Sequence, residues 1–139
     1  MAIERTLAII KPDAVGRGLT AEILTRIHAA KLQIVATKSL PLTRAEAEGF
    51  YAVHRDKPFF APLTEFMSSG KVVVMVLEAE SAIARWRDTM GATDPAQAAP
   101  GTIRRDFGTS IQNNCTHGSD APETAAFEIR YFFPGHKLI

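Results

Sequence analysis

The sequence predicts an α+β fold, a ferredoxin-like split β-α-β sandwich whose four-stranded antiparallel sheet is covered by helices. Three observations predict it. Segments alternate as strand, helix, strand, helices, strand, helix, loop, short strand and helix, which reduces to β-α-β-β-α-β once the middle helices are set aside. The third strand, Val72 to Leu77, is an uninterrupted β-branched and apolar run, as expected of a central strand covered by other elements. The 139 residues, 46% hydrophobic and 22% charged, suffice for one domain over residues 1–139 whose core needs no disulfide or structural metal.

The elements follow in order. Arg5 to Ile10 reads as a strand halted by Lys11-Pro12, because proline cannot donate to a sheet ladder. Asp13 to Gly18 reads as a loop, followed by a helix from Thr20 to Ala30 with Ile23, Leu24 and Ile27 on one face and Thr20 as its cap. Gln33 to Leu40 alternates as a second strand and stops at Pro41. Thr43 and Glu46 form a capping box that opens a helix through about Tyr51. After the break at Lys57-Pro58, Phe60 to Ser68 is a short helix closed by Gly70. Ser81 caps the helix that carries Ile83, Trp86 and Met90, and Gly91 to Gly101 is a long irregular loop of the kind that is often functional. A short strand at Asn114 to His117 precedes the last helix. That helix is capped by Asp120 with Glu123, tolerates Pro122 in its first turn, runs to Phe132 or Phe133, and buries Ala126, Ile129 and Phe133.

Composition removes several function classes. A net charge of +1 supplies no bulk basic field for nucleic acid. Val72 to Leu77 is the longest apolar run and is far too short to span a membrane. The start, Met1 to Thr6, lacks the basic-then-apolar pattern of a secretory signal, and the single Cys115 makes no internal disulfide or cysteine-based zinc cluster. The expectation is a cytoplasmic protein with no membrane attachment and no specific nucleic-acid partner.

The stretch Asn114-Cys115-Thr116-His117-Gly118-Ser119-Asp120 carries the most chemistry. A histidine just before the expected helix start lies where backbone N–H groups favour an anion. Neutral imidazole is a nucleophile and can carry a phosphoryl group. A carboxylate bonded to the ring, with Glu128 the candidate, fixes its tautomer. A structural histidine satisfied by backbone is the other reading, and spacing alone leaves both open. The cations Lys11, Arg87 and Arg104 suit phosphoryl transfer, whose transition state spreads charge over several oxygens. Each also fits a solvated surface residue. No Gly-rich phosphate loop is present, so side chains must hold any nucleotide. Phe59 and Phe60 offer one ring that could stack on a base, or two core residues.

The same residues resemble a known family. Asn114 to Pro122 is similar to the active-site signature of nucleoside diphosphate kinases, and Glu4 to Ala14, Lys57-Pro58-Phe59-Phe60, Gly91 to Pro95 and Pro100 to Arg104 resemble that family in the same order. The likeness covers nearly the whole chain, from residue 2 to about 133. It implies a ping-pong exchange in which His117 takes the γ-phosphoryl of a nucleoside triphosphate, mainly ATP, and passes it to any nucleoside diphosphate. By the resemblance, Lys11, Arg87, Arg104 and Thr93 contact phosphates, Tyr51 lies near the transferred group, and Lys11 and Asn114 meet the sugar 3′-hydroxyl. Phe59 stacks on the base beside Leu63 or Ile111, while Glu128 with Ser119 orients the His117 ring. The family's Mg2+ bridges phosphates with mostly water ligands, which implies no dedicated metal cage and leaves Asp120 as at most an outer-sphere contact.

The family also implies a homo-oligomer, a tetramer or hexamer built from dimers, with only six residues following Phe133 to reach a neighbour. Ala121, Ala79, Ser81 and Ala21 depart from the common pattern, and the glycine replaced by Ala79 puts the turn after the third strand in question. Cys115 is expected to be a packed apolar residue. Two other classes fit less well. A nucleic-acid module on this fold needs aromatic strands and a basic face, and a histidine phosphatase needs Arg before His-Gly where Thr116 stands.

Overall fold

The computed structural model describes residues 3–134; the tail noted above lies outside them beyond Pro134. The sheet centres on β1 (Ile3–Ile10) and β3 (Lys71–Glu80), which pair antiparallel with Ile3 opposite Glu80 and Ile10 opposite Val73. β2 (Gln33–Pro41) pairs antiparallel with β3, and the three-residue β4 (Thr116–Gly118) pairs antiparallel with β1. The resulting order, β2-β3-β1-β4, is the antiparallel sheet expected from the sequence.

Both faces of the two central strands are covered, which is why their apolar runs are unbroken. Ala8, Ile10, Met75 and Leu77 cluster with Ile23 and Ile27 of α2 (Thr20–Ala29) and with Trp86 and Met90 of α5 (Ala82–Met90). Leu7, Ile9, Val72, Val74 and Val76 cluster on the other face with Phe50 of α3 (Arg44–Phe50), Met67 of α4 (Phe60–Met67) and Phe132 of α7 (Pro122–Phe132). The alternation is the period of two of an extended chain, used twice.

The Thr43–Glu46 capping box forms as expected, with Thr43 Oγ1 accepting from Glu46 N–H at 3.0 Å and Glu46 Oε1 accepting from Thr43 N–H at 2.8 Å. Other caps differ. Leu19, not Thr20, precedes α2, and Thr20 is its first helical residue. Ser81 has φ 51° and makes no side-chain cap; Glu4 Oε1 reaches over from β1 and accepts the Ile83 N–H at 2.9 Å. The turn after β3 therefore puts its left-handed residue at Ser81, while Ala79 stays in the strand opposite Glu4. Ala121 precedes α7 without a side-chain cap, because Asp120 is drawn to Arg87 instead; Pro122 does occupy the first turn.

Four segments depart further from the sequence reading. Pro12–Gly16, expected as loop, is a helical turn, α1, since proline suits a first helical position even where it stops a strand. β2 carries a bulge between Ile34 and Ala36, which breaks the simple alternation. Ile103–Phe107 forms an unanticipated helix, α6, with Thr102 Oγ1 accepting from the Arg105 N–H at 3.3 Å, and the long loop before it holds a 3₁₀ turn at Pro95–Gln97. The buried face of α7 is Ala125, Glu128 and Phe132, with Phe133 buried just past its end; Ala126 is exposed and Ile129 half-buried. The apolar stripe misleads here because a carboxylate, Glu128, occupies a buried position.

Candidate active site

The pairing of β4 with β1 decides where the histidine points. His117 stands opposite Ile9, between Gly118 opposite Ala8 and Thr116 opposite Ile10. Opposed residues of an antiparallel pair share a face, so His117 lies on the side of α3 and α7, and its neighbours lie on the side of α5. Phe50 and Tyr51 accordingly meet the imidazole edge-on, with ring centroids at 5.4 Å and 6.0 Å. On the opposite face the Trp86 indole N–H donates to the His117 carbonyl at 3.1 Å. His117 is five residues before α7 begins at Pro122, so, contrary to the expectation from the sequence, the anion-favouring N–H groups of that helix are not immediately beside it.

Behind the ring, Glu128 of α7 is 7% exposed. Its Oε1 lies 2.9 Å from His117 Nε2 and accepts a second bond from Ser119 Oγ at 2.9 Å. Ser119 is held in turn by Leu7, whose N–H donates to Ser119 Oγ at 3.2 Å. A carboxylate acceptor requires the proton on Nε2, which leaves Nδ1 as the ring nitrogen with a free lone pair.

His117 opens into a cleft lined also by Lys11, Tyr51, His54, Phe59, Leu63, Arg87, Met90, Thr93, Arg104, Ile111, Asn114, Gly118 and Asp120. Ten of the positions expected from the sequence thus share one cleft, while Ser119 and Glu128 stand behind the histidine. His54 and Met90 were not anticipated. Met90 reads as one more member of the Ile83–Trp86–Met90 core stripe, and His54 lies in no motif; its ring packs 5.3 Å from that of Phe59.

The cations are unusually deep. Lys11 is 7% exposed and Arg104 8%. Lys11 Nζ donates to Asn114 Oδ1 at 2.8 Å, and Asn114 Nδ2 donates to the Thr93 carbonyl at 2.9 Å, tying β1, the long loop and the segment before β4 together. Arg104 donates through Nη2 to the Thr116 carbonyl at 2.8 Å and through Nη1 to the Gly91 carbonyl at 3.0 Å. Gly91 has φ 88°, and a Cβ there would stand 2.5 Å from Thr102 Oγ1, so the loop that presents its carbonyl to Arg104 needs glycine.

Burial lowers the Lys11 ammonium to a pKa of about 8, with Arg104 adding repulsion, and burial lowers Arg104 to about 10 with Arg87 adding repulsion. Two desolvated cations held mainly by neutral oxygens favour an anion between them. Arg87 is more exposed and pairs with Asp120 at 2.7 Å. Tyr51 is buried, its phenol is pushed upward chiefly by desolvation, and its OH has no hydrogen-bond partner among the described residues. Phe59 is half-exposed on the rim next to Leu63 and Ile111. Cys115 is fully buried in the core, as expected, and burial pushes its thiol up to about 11.

Among the described residues no cluster of three or more His, Cys, Asp or Glu could hold a metal ion, and no helix is long and apolar enough to cross a membrane.

Comparison with known proteins agrees with this geometry. A family model described as nucleoside diphosphate kinase matches residues 4–138. A nucleoside diphosphate kinase of Desulfosudis oleivorans is 61% identical over 137 residues, covering 99% of both chains. One from Brucella anthropi is 58% identical over 139 residues, covering 100% of this chain and 99% of its own. Among solved structures, the Aquifex aeolicus nucleoside diphosphate kinase superposes with a TM-score of 0.95 at 48% identity, covering 99% of this chain and 100% of its own. That of Halobacterium salinarum, in complex with CDP, gives 0.93 at 42% identity, covering 99% and 92%. The chain belongs to the nucleoside diphosphate kinase family, enzymes that transfer phosphoryl groups between nucleotides.

Proposed function

We propose that the chain carries the γ-phosphoryl group of a nucleoside triphosphate, mainly ATP, to nucleoside diphosphates through a phosphohistidine on His117. The observation that carries this is the Glu128 bond to Nε2. In the first half-reaction the Nδ1 lone pair forms an N–P bond while the bond from γ-phosphorus to its bridging oxygen breaks, that electron pair leaving on the diphosphate. The Nε2 proton stays on the ring and is donated in a hydrogen bond to the Glu128 carboxylate, whose negative charge balances the positive charge that develops on the imidazole. In the second half-reaction a terminal oxygen of the acceptor diphosphate attacks phosphorus and Nδ1 departs with its lone pair.

The remaining residues position and neutralise, which is nearly the whole task in phosphoryl transfer. Lys11, Arg87, Arg104 and Thr93 hold phosphates, the protonated Tyr51 donates towards the transferred group, and Lys11 and Asn114 meet the sugar. Phe59 stacks on the base with Leu63 and Ile111 beside it, a contact that every base satisfies. The CDP in the Halobacterium salinarum relative supports a nucleotide ligand here. Mg2+ bound on the phosphates supplies further charge neutralisation; the one carboxylate on the cleft wall, Asp120, is engaged by Arg87 and fits an outer-sphere role. The family resemblance further supports one catalytic domain over residues 1–139, a cytoplasmic setting, and a homo-oligomer of four or six chains built from dimers, which light scattering tests directly.

The test of the reaction uses ATP labelled at the γ-phosphate. Wild-type protein with Mg2+ is expected to form an acid-labile, base-stable phosphoprotein that GDP discharges as GTP. Absence of that adduct, or exchange that persists in His117→Gln, sinks the reading.

A further inference from the structure

The segment that holds the cleft's cations has a strained residue at its centre. Cys115 has φ 76°, the left-handed region where a β-carbon crowds the following carbonyl. Its side chain is fully buried, so the turn cannot relax outward. Both polar groups of its backbone are pinned from the start of the chain: the Cys115 N–H donates to Asp13 Oδ2 at 3.1 Å, and its carbonyl accepts from the Lys11 N–H at 2.8 Å. The residues on either side grip the cations. Asn114 takes Lys11 Nζ, Thr116 takes Arg104 through its carbonyl, and His117 follows. Asp13 belongs to α1, yet that helix has no side-chain cap, and Asp13 spends its carboxylate on a peptide 102 residues away. Its second oxygen, Oδ1, is buried with no hydrogen-bond partner among the described residues.

We propose that Asp13 is a positioning residue for phosphoryl transfer, anchoring the Cys115 peptide so that Asn114, Thr116 and His117 present Lys11, Arg104 and the imidazole to one cleft. The proposal rests on the phosphohistidine reading above and adds a residue that touches no substrate. It differs from a purely structural role because Asp13 also faces the Lys11 charge. The groups acting on that ammonium are Arg104 on α6, which lowers it, and Asp13 on α1 with Cys115 before β4, which raise it. Losing the Asp13 charge therefore makes Lys11 give up its proton at lower pH.

The experiment compares Asp13→Ala and Asp13→Asn in the full chain by melting temperature, kcat, KM and the pH profile of kcat/KM. Asp13→Ala is expected to fold and to lose kcat by at least about tenfold. Asp13→Asn, whose amide oxygen can still accept the Cys115 N–H, is expected to recover most of that loss, and in both variants the basic limb of the profile moves to lower pH. Wild-type kcat in Asp13→Ala overturns the proposal, as does an Asp13→Asn as impaired as Asp13→Ala, a loss that only tracks the unfolded fraction, or an unmoved limb in both. Should Asp13→Ala fail to fold, the basic limb of Asp13→Asn decides: displaced supports, unmoved overturns. A wild-type protein that forms no phosphohistidine condemns the underlying reading instead, and the labelled-ATP assay shows that separately.

Discussion

The Glu128 carboxylate meets the His117 imidazole at 2.9 Å, Oε1 to Nε2, and the same oxygen accepts Ser119 Oγ at 2.9 Å. One buried oxygen with two donors has a fixed direction, so the ring it holds has one tautomer and one orientation.

Glu128→Gln keeps the shape and removes the charge. Its amide can also turn its NH2 towards Nε2, which moves the ring proton to Nδ1 and blocks the attacking lone pair. Turnover is expected to fall by about a hundredfold or more, in the range found for loss of a positioned acid–base partner. Single-turnover phosphorylation by labelled ATP is expected to slow by the same factor, which separates this effect from slow product release. Near wild-type rates would remove Glu128 from the mechanism.

Much of this arrangement was legible beforehand, and the exceptions have physical causes. The sheet could be read because Val72 to Leu77 must be covered on both faces, and the Thr43–Glu46 box because both partners are local. Two caps failed where a distant partner won: Glu4 supplies the cap expected of Ser81, and Arg87 takes the carboxylate expected to cap α7. At α2 the helix starts one residue early, with Thr20 already inside it. Helix α6 was hidden because it is a five-residue helix after a Pro- and Gly-rich loop, and periodicity needs more length than that. Of the site, residue types and order were readable through the family resemblance. The partner of Lys11 and the anchor of the Cys115 peptide lie about a hundred residues away, and Arg104 is held by backbone carbonyls of Gly91 and Thr116, so none of these roles leaves a local trace.

The buried Lys11 predicts a pH dependence with opposite signs for activity and stability. Its pKa falls from 10.5 in a free chain to about 8 in the fold. Between those values the unfolded chain holds the proton more tightly, so this residue's contribution to stability rises with pH; below about 8 its desolvation penalty is fully present. In the proposed role of Lys11, phosphate binding needs the charge and so weakens over the same interval. The expected result is that kcat/KM falls as pH rises through about 8, while the unfolding free energy of wild type, relative to Lys11→Met, increases. Saturating nucleotide should move the basic limb of kcat to higher pH, because a bound phosphate favours the ammonium. Arg104, at about 10, titrates only near the top of this interval and leaves the fall through about 8 to Lys11. An activity profile flat to pH 9 would contradict the role of Lys11.

Phe59 is 49% exposed, so its ring is available for stacking without being needed to fill the core. Phe59→Ala is expected to weaken every nucleotide by ~1–3 kcal/mol, or roughly 5- to 150-fold in affinity, with the melting temperature little changed. Titrations with a purine and a pyrimidine diphosphate check this. A loss confined to one base would mean that Phe59 reads a base edge rather than a face.

Gly118 tests whether the histidine is held from below as well as from behind. A Cβ at this position would stand 2.6 Å from Trp86 Cδ1, 2.8 Å from Trp86 Nε1 and 2.7 Å from Met90 Cε. The methionine end can give way, but the indole is fully buried and its N–H is committed to the His117 carbonyl. Gly118→Ala must therefore displace either β4 or Trp86, at an overpacking cost of about 1–3 kcal/mol. Displacing β4 also pulls His117 out of its register with Ile9 and away from Glu128, so turnover should fall along with stability. Gly118→Ala combined with Trp86→Phe supplies a smaller ring without the indole N–H. That pair is expected to regain stability more than activity, because the clash is relieved while the bond to the His117 carbonyl is still lost. Equal recovery of both would show that the Trp86 bond plays no part in placing the nucleophile.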